Sequence, residues 1–170
     1  MKKFWQLPVV WGVIGVLVTG LLVAGLLVIF RPRVPIPDRI VHQLNFSLMY
    51  PDASSGYEVD PSKTSYDASS KVLIFHAKQE GVELIITEQA TPDPFNDIPQ
   101  YYPKLIEKLN GYKDFDSING SVSLTRPTEL KGGQTAVFNG KGTLIFVKPS
   151  RALSDDDWRA FFNSLVIARH

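Results

Sequence analysis

Apolar and polar positions follow different patterns in the two parts of the chain. From Val9 to Phe30 there is no charged residue, and Thr19 is the one polar side chain. As a helix this stretch would reach about 33 Å, which is enough to cross a bilayer core of about 30 Å. A buried core helix would keep a polar face, and a cleaved signal peptide has a shorter apolar stretch that ends at small residues. The pattern therefore predicts an uncleaved transmembrane signal-anchor helix at 9–30, preceded by a short N-terminal tail at 1–8.

The charges on either side of this segment nearly balance. Lys2 and Lys3 precede it, whereas Arg31 and Arg33 follow it, so neither side has a clear excess of basic residues. The α-amine and the shortness of the tail favour an amino terminus in the cytoplasm. We therefore expect a single-pass protein of the cell membrane whose C-terminal domain is extracytoplasmic.

After the membrane segment the pattern changes to a linker and then to strands and helices. Residues 31–37 contain three prolines, which predict a short, stiff spacer that keeps the following domain near the bilayer. Residues 38–170 contain short apolar runs separated by turn residues, with one internal helical pattern and another at the C-terminal end. Because hairpins dominate, we predict a soluble α+β domain, an antiparallel β-sheet with an internal and a C-terminal helix packed on it.

The elements predicted in this domain have definite bounds. We expect a helical turn between Asp38 and Leu44, a helix from Asp97 to Asn110, and a second helix after Ser154. The predicted strands are Phe46–Tyr50, short pieces near 57–59 and 64–66, Lys71–Lys78, Val82–Gln89, 114–118, 121–126, 134–138 and 141–148.

Turn and cap residues mark two hairpins and the last helix. Gln79-Glu80-Gly81 suits a three-residue hairpin loop, and Asn139-Gly140 suits a two-residue type I′ turn. Ser154 opens a capping box, and the helix after it has an apolar stripe that we expect to be buried against the sheet. The stripe consists of Trp158, Phe161, Phe162, Leu165 and Val166.

Three stretches of the domain resemble a known family. Phe46-Ser-Leu-Met-Tyr-Pro51 resembles the opening F-x-x-x-Y-P strand of photosystem-P/Mog1-like domains, and Ile85-Ile-Thr-Glu-Gln89 resembles their second hairpin. Asp157-Trp-Arg-Ala-Phe-Phe-Asn-Ser-Leu165 resembles their terminal helix. The resemblance covers residues 45–168 and implies a binding or assembly factor rather than an enzyme. The lipoproteins of that family use a lipidated cysteine, whereas this chain has an apolar segment. Its layout also resembles that of uncharacterised single-pass membrane proteins of reduced-genome bacteria.

Charge and cysteine content exclude several classes of function. The whole chain has 18 basic and 17 acidic side chains; without Lys2, Lys3, Arg31 and Arg33, the remainder has 14 and 17, a net charge of −3. A protein that binds nucleic acid needs clustered Lys and Arg, so we expect no nucleic-acid partner. The chain has no cysteine, which excludes disulfides, thiolate catalysis and cysteine-ligated metal centres.

Other catalytic and metal-binding patterns are also missing from the sequence. His42, His76 and His170 are too scattered for a metal site, so we expect no metal and no cofactor. Glu83 and Glu88 differ in parity along one predicted strand, so they point to opposite faces and cannot form a catalytic pair. We expect both to be solvated surface charges, and the same expectation covers Glu80, Asp93 and Asp97. There is no Gly-x-Ser-x-Gly nucleophile elbow, so we expect no enzyme.

These patterns favour a membrane-anchored extracytoplasmic binding or assembly module with an unidentified protein or lipid partner. A lipid or lipoprotein carrier and a hydrolase with an unrecognised site are the alternatives. Phe95 is the candidate partner contact, because it is the one large apolar residue of a proline-containing loop at 90–96. The alternative, which the sequence favours, is that Phe95 folds back on the start of the next helix.

Overall fold

The computed structural model describes residues 34–126 and 133–168, which belong to one unit, Val34–His170. The predicted tail at 1–8, the anchor helix at 9–30 and residues 31–33 of the linker lie outside the described residues. Among the helices within the described ranges, none is both long and apolar enough to cross a membrane. The described residues form antiparallel sheets with a few helices, which confirms the predicted α+β class.

Nine strands are found in the described residues: β1 (Met49–Pro51), β2 (Glu58–Asp67), β3 (Val72–Gln79), β4 (Val82–Ala90), β5 (Gly111–Ser117), β6 (Gly120–Thr125), β7 (Thr135–Gly140), β8 (Thr143–Pro149) and β9 (Leu165–Ile167). Seven of them form a sheet in the order β2–β3–β4–β8–β7–β6–β5, and β1 pairs with β9 separately. Every pairing is antiparallel. The large sheet thus consists of two meanders that join where β4 pairs with β8.

The described part of the chain also contains four α-helices: α1 (Asp38–Val41), α2 (Asp93–Asp97), α3 (Tyr101–Lys108) and α4 (Asp155–Ser164). The α2–α3 segment connects β4 in the centre of the sheet with β5 at its edge. The capping box predicted for the last helix is present in α4. The Ser154 hydroxyl accepts a hydrogen bond from the Asp157 amide, and the Asp157 carboxylate accepts one from the Ser154 amide.

The C-terminal helix α4 packs on one face of the large sheet, which we call the inner face. Trp158, Phe161 and Phe162 have no exposed surface, as the predicted stripe requires. The ring of Phe162 lies 6.1 Å from the rings of Phe115 on β5 and Phe138 on β7. Alternate residues of the strands complete this core: Leu73, Phe75, Ala77, Leu84, Ile86, Val122, Leu124, Ala136, Ile145 and Val147.

The strands β1 and β9 form a small antiparallel pair, which we call the ribbon. Met49 pairs with Ile167, and the Ala168 amide donates to the Leu48 carbonyl at 3.0 Å. The strand predicted from Phe46 begins later in the structure and extends through Pro51. Strand β9 was not predicted, because its first residues continue the helical apolar stripe of α4.

The internal helix predicted at 97–110 begins later in the structure, and a separate short helix precedes it in the stretch predicted as a loop. α2 ends at Asp97 and α3 begins at Tyr101. Ile98 between them is extended, with φ −122° and ψ 100°. A residue that precedes proline is biased away from helical conformations, and Ile98 precedes Pro99. The prediction placed this proline within the first turn of a single helix, and that was wrong.

The edge strand β2 is continuous, although the sequence predicted two short pieces. Its pairing with β3 shifts register between Asp60 and Ser65, and Pro61 lies in this irregular part. Proline cannot donate to a ladder and is found at sheet edges, so its presence is compatible with an edge strand. A proline and an irregular register also protect an exposed edge against pairing with another chain.

Both hairpin turns differ in detail from their predictions. Gln79 pairs directly with Val82, so the first loop has two residues, Glu80 and Gly81, rather than three. Both of these residues have positive φ, 46° and 77°, as a type I′ turn needs.

The second turn lies at Lys141-Gly142, where φ is 57° and 79°, and not at Asn139-Gly140. Burial explains this register. With the observed turn, Phe138 stands opposite Ile145, and both side chains are buried. A turn at 139–140 would place Lys141 opposite Phe138 on the inner face, where its charge would be desolvated.

Candidate functional site

The outer face of the large sheet, opposite α4, is covered over one half. On this half Val137 of β7 is fully buried and Leu144 of β8 is 2% exposed. Tyr102 of α3 reaches across this half, and its hydroxyl donates to the Val137 carbonyl at 3.2 Å. The α2–α3 segment therefore covers the sheet near β7.

The other half of the outer face is open, and it carries apolar side chains. Ile74 on β3 and Ile85 on β4 are each 37% exposed, which is high for isoleucines in the central part of a sheet. Ile74 pairs with Thr87, and Thr87 pairs in turn with the half-buried Phe146 of β8. These four residues, Ile74, Ile85, Thr87 and Phe146, are contiguous across three strands, and we call them the open patch.

One end of the open patch carries charged groups of both signs. Glu83 accepts hydrogen bonds from Lys63 Nζ at 2.6 Å and lies 3.0 Å from His76 Nδ1. The hydrogen bond from Lys63 is the largest influence on the pKa of Glu83 and that from His76 the next, and together they lower this pKa to about 2. Lys78 pairs with Glu83 across the strands, and Lys148 pairs with Ile85. On the neighbouring edge strand Glu58 pairs with Lys78 and Asp60 pairs with His76, so this end carries acidic as well as basic groups.

The sequence signal for the open patch was present but was not used. Two strands contain uninterrupted apolar runs, Val72-Leu-Ile-Phe75 and Leu84-Ile-Ile86. A strand with one solvent-exposed face instead alternates apolar and polar residues. Such runs indicate strands with apolar side chains on both faces. The structure shows that only one of these two faces is covered by α4.

Phe95, the candidate partner contact, lies in helix α2 rather than in a loop. Its ring centroid is 5.7 Å from that of Tyr101 and 6.0 Å from that of Tyr102, and the side chain is half-buried. These contacts at the start of α3 are of the kind expected from the alternative, in which Phe95 folds back on the helix. Tyr101 and Ile98 beside it are 46% and 47% exposed, so the segment still presents apolar surface.

Glu88 contradicts the expectation of a solvated surface charge. It lies on the opposite face of β4 from Glu83, as its parity predicted, but that face is the inner one, and its exposure is 0%. Its Oε2 accepts a hydrogen bond from the Met49 amide at 3.2 Å, and its Oε1 has no partner among the described residues. Burial raises the pKa of Glu88 well above its ordinary value, and the Met49 hydrogen bond opposes this rise.

The histidines are dispersed in the structure. His42 is exposed after α1, His76 contacts Glu83, and His170 lies outside the described residues. Within residues 34–126 and 133–168, no group of three or more His, Asp or Glu side chains is placed to hold a metal ion.

Comparison with protein-family models, with curated proteins and with solved structures gave no match. The resemblance to photosystem-P/Mog1-like domains therefore stays a prediction.

Proposed function

We propose that residues 38–170 form an extracytoplasmic binding or assembly module, anchored in the cell membrane by residues 9–30, that contacts a protein partner through the open patch. The observation that carries this proposal is the exposure of Ile74 and Ile85 on central strands of the large sheet. Contiguous apolar side chains on a protein surface mark sites of interaction more often than scattered ones do.

The contrast between the two halves of the outer face supports this proposal. The strands near β7 are covered by the chain's own α2–α3 segment, whereas β3, β4 and the neighbouring part of β8 keep Ile74, Ile85 and Phe146 accessible. The patch rests on hydrogen-bonded strands, so its side chains lose little conformational freedom when a partner binds. Lys148 beside Ile85 adds one positive charge at the rim, which an acidic group of the partner at that point would complement.

The inner face is less suited to the alternative of a lipid carrier. An acyl chain would need space between the sheet and α4, and the aromatic side chains there are in mutual contact. The ring of Phe161 lies 5.2 Å from that of Phe162, and the ring of Trp158 lies 6.2 Å from it. We therefore assign binding to the outer face.

Site-specific photo-crosslinking in intact cells tests the contact surface. A photoreactive amino acid at position 85 should give one discrete adduct with a partner. The same amino acid at position 118 is the matched control, because Ile118 is 77% exposed in the turn between β5 and β6, on strands distant from the patch. Adducts of equal yield at both positions, or none at position 85, would contradict the proposal.

Two fractionation experiments test the anchor and its orientation. The full chain should stay with membranes after an alkaline carbonate wash, and protease added to intact spheroplasts should cut the domain. Release of the full chain into the wash would contradict the predicted anchor. Protection of the domain from protease would mean that it lies in the cytoplasm.

A further inference from the structure

The β1 side of the ribbon is joined to the strands β4 and β8 of the large sheet by one buried and one partly buried hydrogen bond. The Met49 amide donates to Glu88 on β4 at 3.2 Å, and the Thr143 hydroxyl on β8 donates to the Ser47 carbonyl at 2.6 Å. Glu88 and Thr143 are both fully buried. Two side chains of adjacent strands thus fasten β1 to the large sheet beside the apolar contacts of the buried Leu48 and Met49, and one of these two side chains can ionise.

Nothing charged among the described residues compensates a negative charge on Glu88. Its neighbours across the strands are Leu73 on β3 and Ile145 on β8, and its carboxyl group is in contact with the amide of Met49. The pKa of Tyr50 on β1 is raised, first by its own burial and then by the negative charge of Asp52. The remaining titratable groups of β3, β4 and β8 lie on the outer face of the sheet: His76, Lys78, Glu83 and Lys148.

We propose that the Glu88 carboxyl is a clasp that holds the ribbon on the large sheet while it is protonated and lets the ribbon open when it loses its proton. A neutral acid fits the apolar site, because Oε2 accepts from Met49 and Oε1, which has no hydrogen-bond partner among the described residues, is the oxygen left to carry the proton. A carboxylate there would have one amide donor and no counter-ion, which is a costly arrangement in an apolar interior.

The ribbon is the element expected to open. Its strands have three residues each, whereas β3 and β4 are held along eight and nine residues by neighbours on both sides. Local opening uses the least stable unit that lets water reach the charge. Such opening would hydrate the carboxylate without disrupting the large sheet.

The direction of the pH effect follows from the raised pKa of Glu88 in the folded chain. Below the ordinary pKa of a glutamate, the folded and the open states are both protonated, and the clasp has its full strength. As the pH rises above that value, the open state releases its proton while the folded state still holds it, so the closed state loses stability. The loss continues until the pH passes the folded pKa.

Amide hydrogen exchange of the full chain in detergent, measured over a pH series and corrected for intrinsic rates, tests the clasp. Protection of Met49 and Ala168 in the ribbon should fall about tenfold per pH unit in this window, since a single proton is released. Protection of Phe75 and Leu84 in the large sheet should stay above that of the ribbon at every pH, although it falls with the same slope where these amides exchange by global unfolding, which also exposes Glu88. In Glu88→Gln, protection of the ribbon should be independent of pH.

Two control variants separate the clasp from general effects. Glu83→Gln, on the outer face of the same strand, should keep the wild-type pH dependence of the ribbon. Thr143→Val removes the other hydrogen bond of the ribbon and should lower its protection by the same factor at every pH. Both expectations follow from the contacts of these residues.

Three results would overturn the proposal: ribbon protection that does not vary with pH in the wild type, the same variation in Glu88→Gln, or ribbon protection that is no lower than that of the large sheet. If Glu88→Gln does not fold, carbon NMR of the wild-type Glu88 carboxyl group tests the proposal instead. A protonated signal that titrates together with ribbon opening supports the clasp, and a carboxylate signal with the ribbon closed refutes it. The ribbon lies on the inner side of the sheet and the open patch on the outer side, so failure of the clasp leaves the proposed binding surface untouched.

Discussion

Replacing Trp158 by alanine should be severely destabilising, because this side chain closes the core between α4 and the large sheet. Trp158 has no exposed surface, and its ring lies 6.2 Å from that of Phe162. Its indole Nε1 donates to Gln134 Oε1 at 3.3 Å. The residue thus contributes both packing and one long hydrogen bond.

The magnitude follows from these two contributions. Truncation of a fully buried aromatic residue to alanine costs about 3–5 kcal/mol. Loss of the hydrogen bond adds less than about 1 kcal/mol, since Gln134 Oε1 still accepts a hydrogen bond from the Leu153 amide at 2.8 Å. A total of about 4 kcal/mol is a large share of the roughly 5–15 kcal/mol by which domains are stable. It should lower the melting temperature by about 10–20 °C.

Thermal unfolding followed by near-ultraviolet circular dichroism is a suitable assay, with two matched variants. Trp158→Phe keeps an aromatic ring beside Phe162 and should recover much of the lost stability. Ile118→Ala changes a side chain that is 77% exposed and should stay within about 0.5 kcal/mol of the wild type. A melting temperature of Trp158→Ala within a degree of the parent would show that α4 does not close the core.

Three further changes test other parts of the structure. Ser154→Ala removes the cap of α4 and should cost about 1 kcal/mol in urea unfolding, while an unchanged midpoint would mean that the capping box is unimportant. Phe95→Ala removes ring contacts with Tyr101 and Tyr102 and should cost about 1–2 kcal/mol while leaving crosslinking per folded molecule unchanged. Unchanged stability with loss of the crosslink would instead assign Phe95 to the partner contact. A fragment that starts at Pro35 should be soluble with native circular dichroism, because it retains the buried Ile36, and aggregation of this fragment would contradict the domain boundary.

The sequence predicted those elements whose pattern and burial agree. The α4 stripe was predicted correctly because Trp158, Phe161 and Phe162 repeat at helical spacing next to a capping box. The β3–β4 hairpin was also predicted, because two apolar runs flank a glycine that can adopt positive φ.

The mistakes arose where long-range burial decides between local alternatives. Asn139-Gly140 suits a hairpin turn locally, but the pairing of Phe138 with Ile145 moves the turn two residues further on. Glu88 was taken as solvated because glutamate is rarely buried. Parity along β4 showed that it shares a face with Leu84 and Ile86, and this observation would have predicted its burial.

The open patch was missed for a different reason. Alternation indicates which residues share a face, but not how much of each face the rest of the chain covers. The α2–α3 segment covers only part of the sheet, and its break at Ile98 and Pro99 lies where a helix starting at Asp97 had been predicted to continue. Coverage of a sheet is thus a tertiary property.

Hydroxyl-radical footprinting of the full chain in native membranes, compared with the purified protein in detergent, tests the proposed binding surface most directly. The account predicts that labelling of Ile74, Ile85 and Phe146 falls several-fold in the membranes, while that of the exposed Ile118 and Tyr112 stays the same. Equal labelling of the open patch in both preparations, or protection confined to Ile118 and Tyr112, would contradict it.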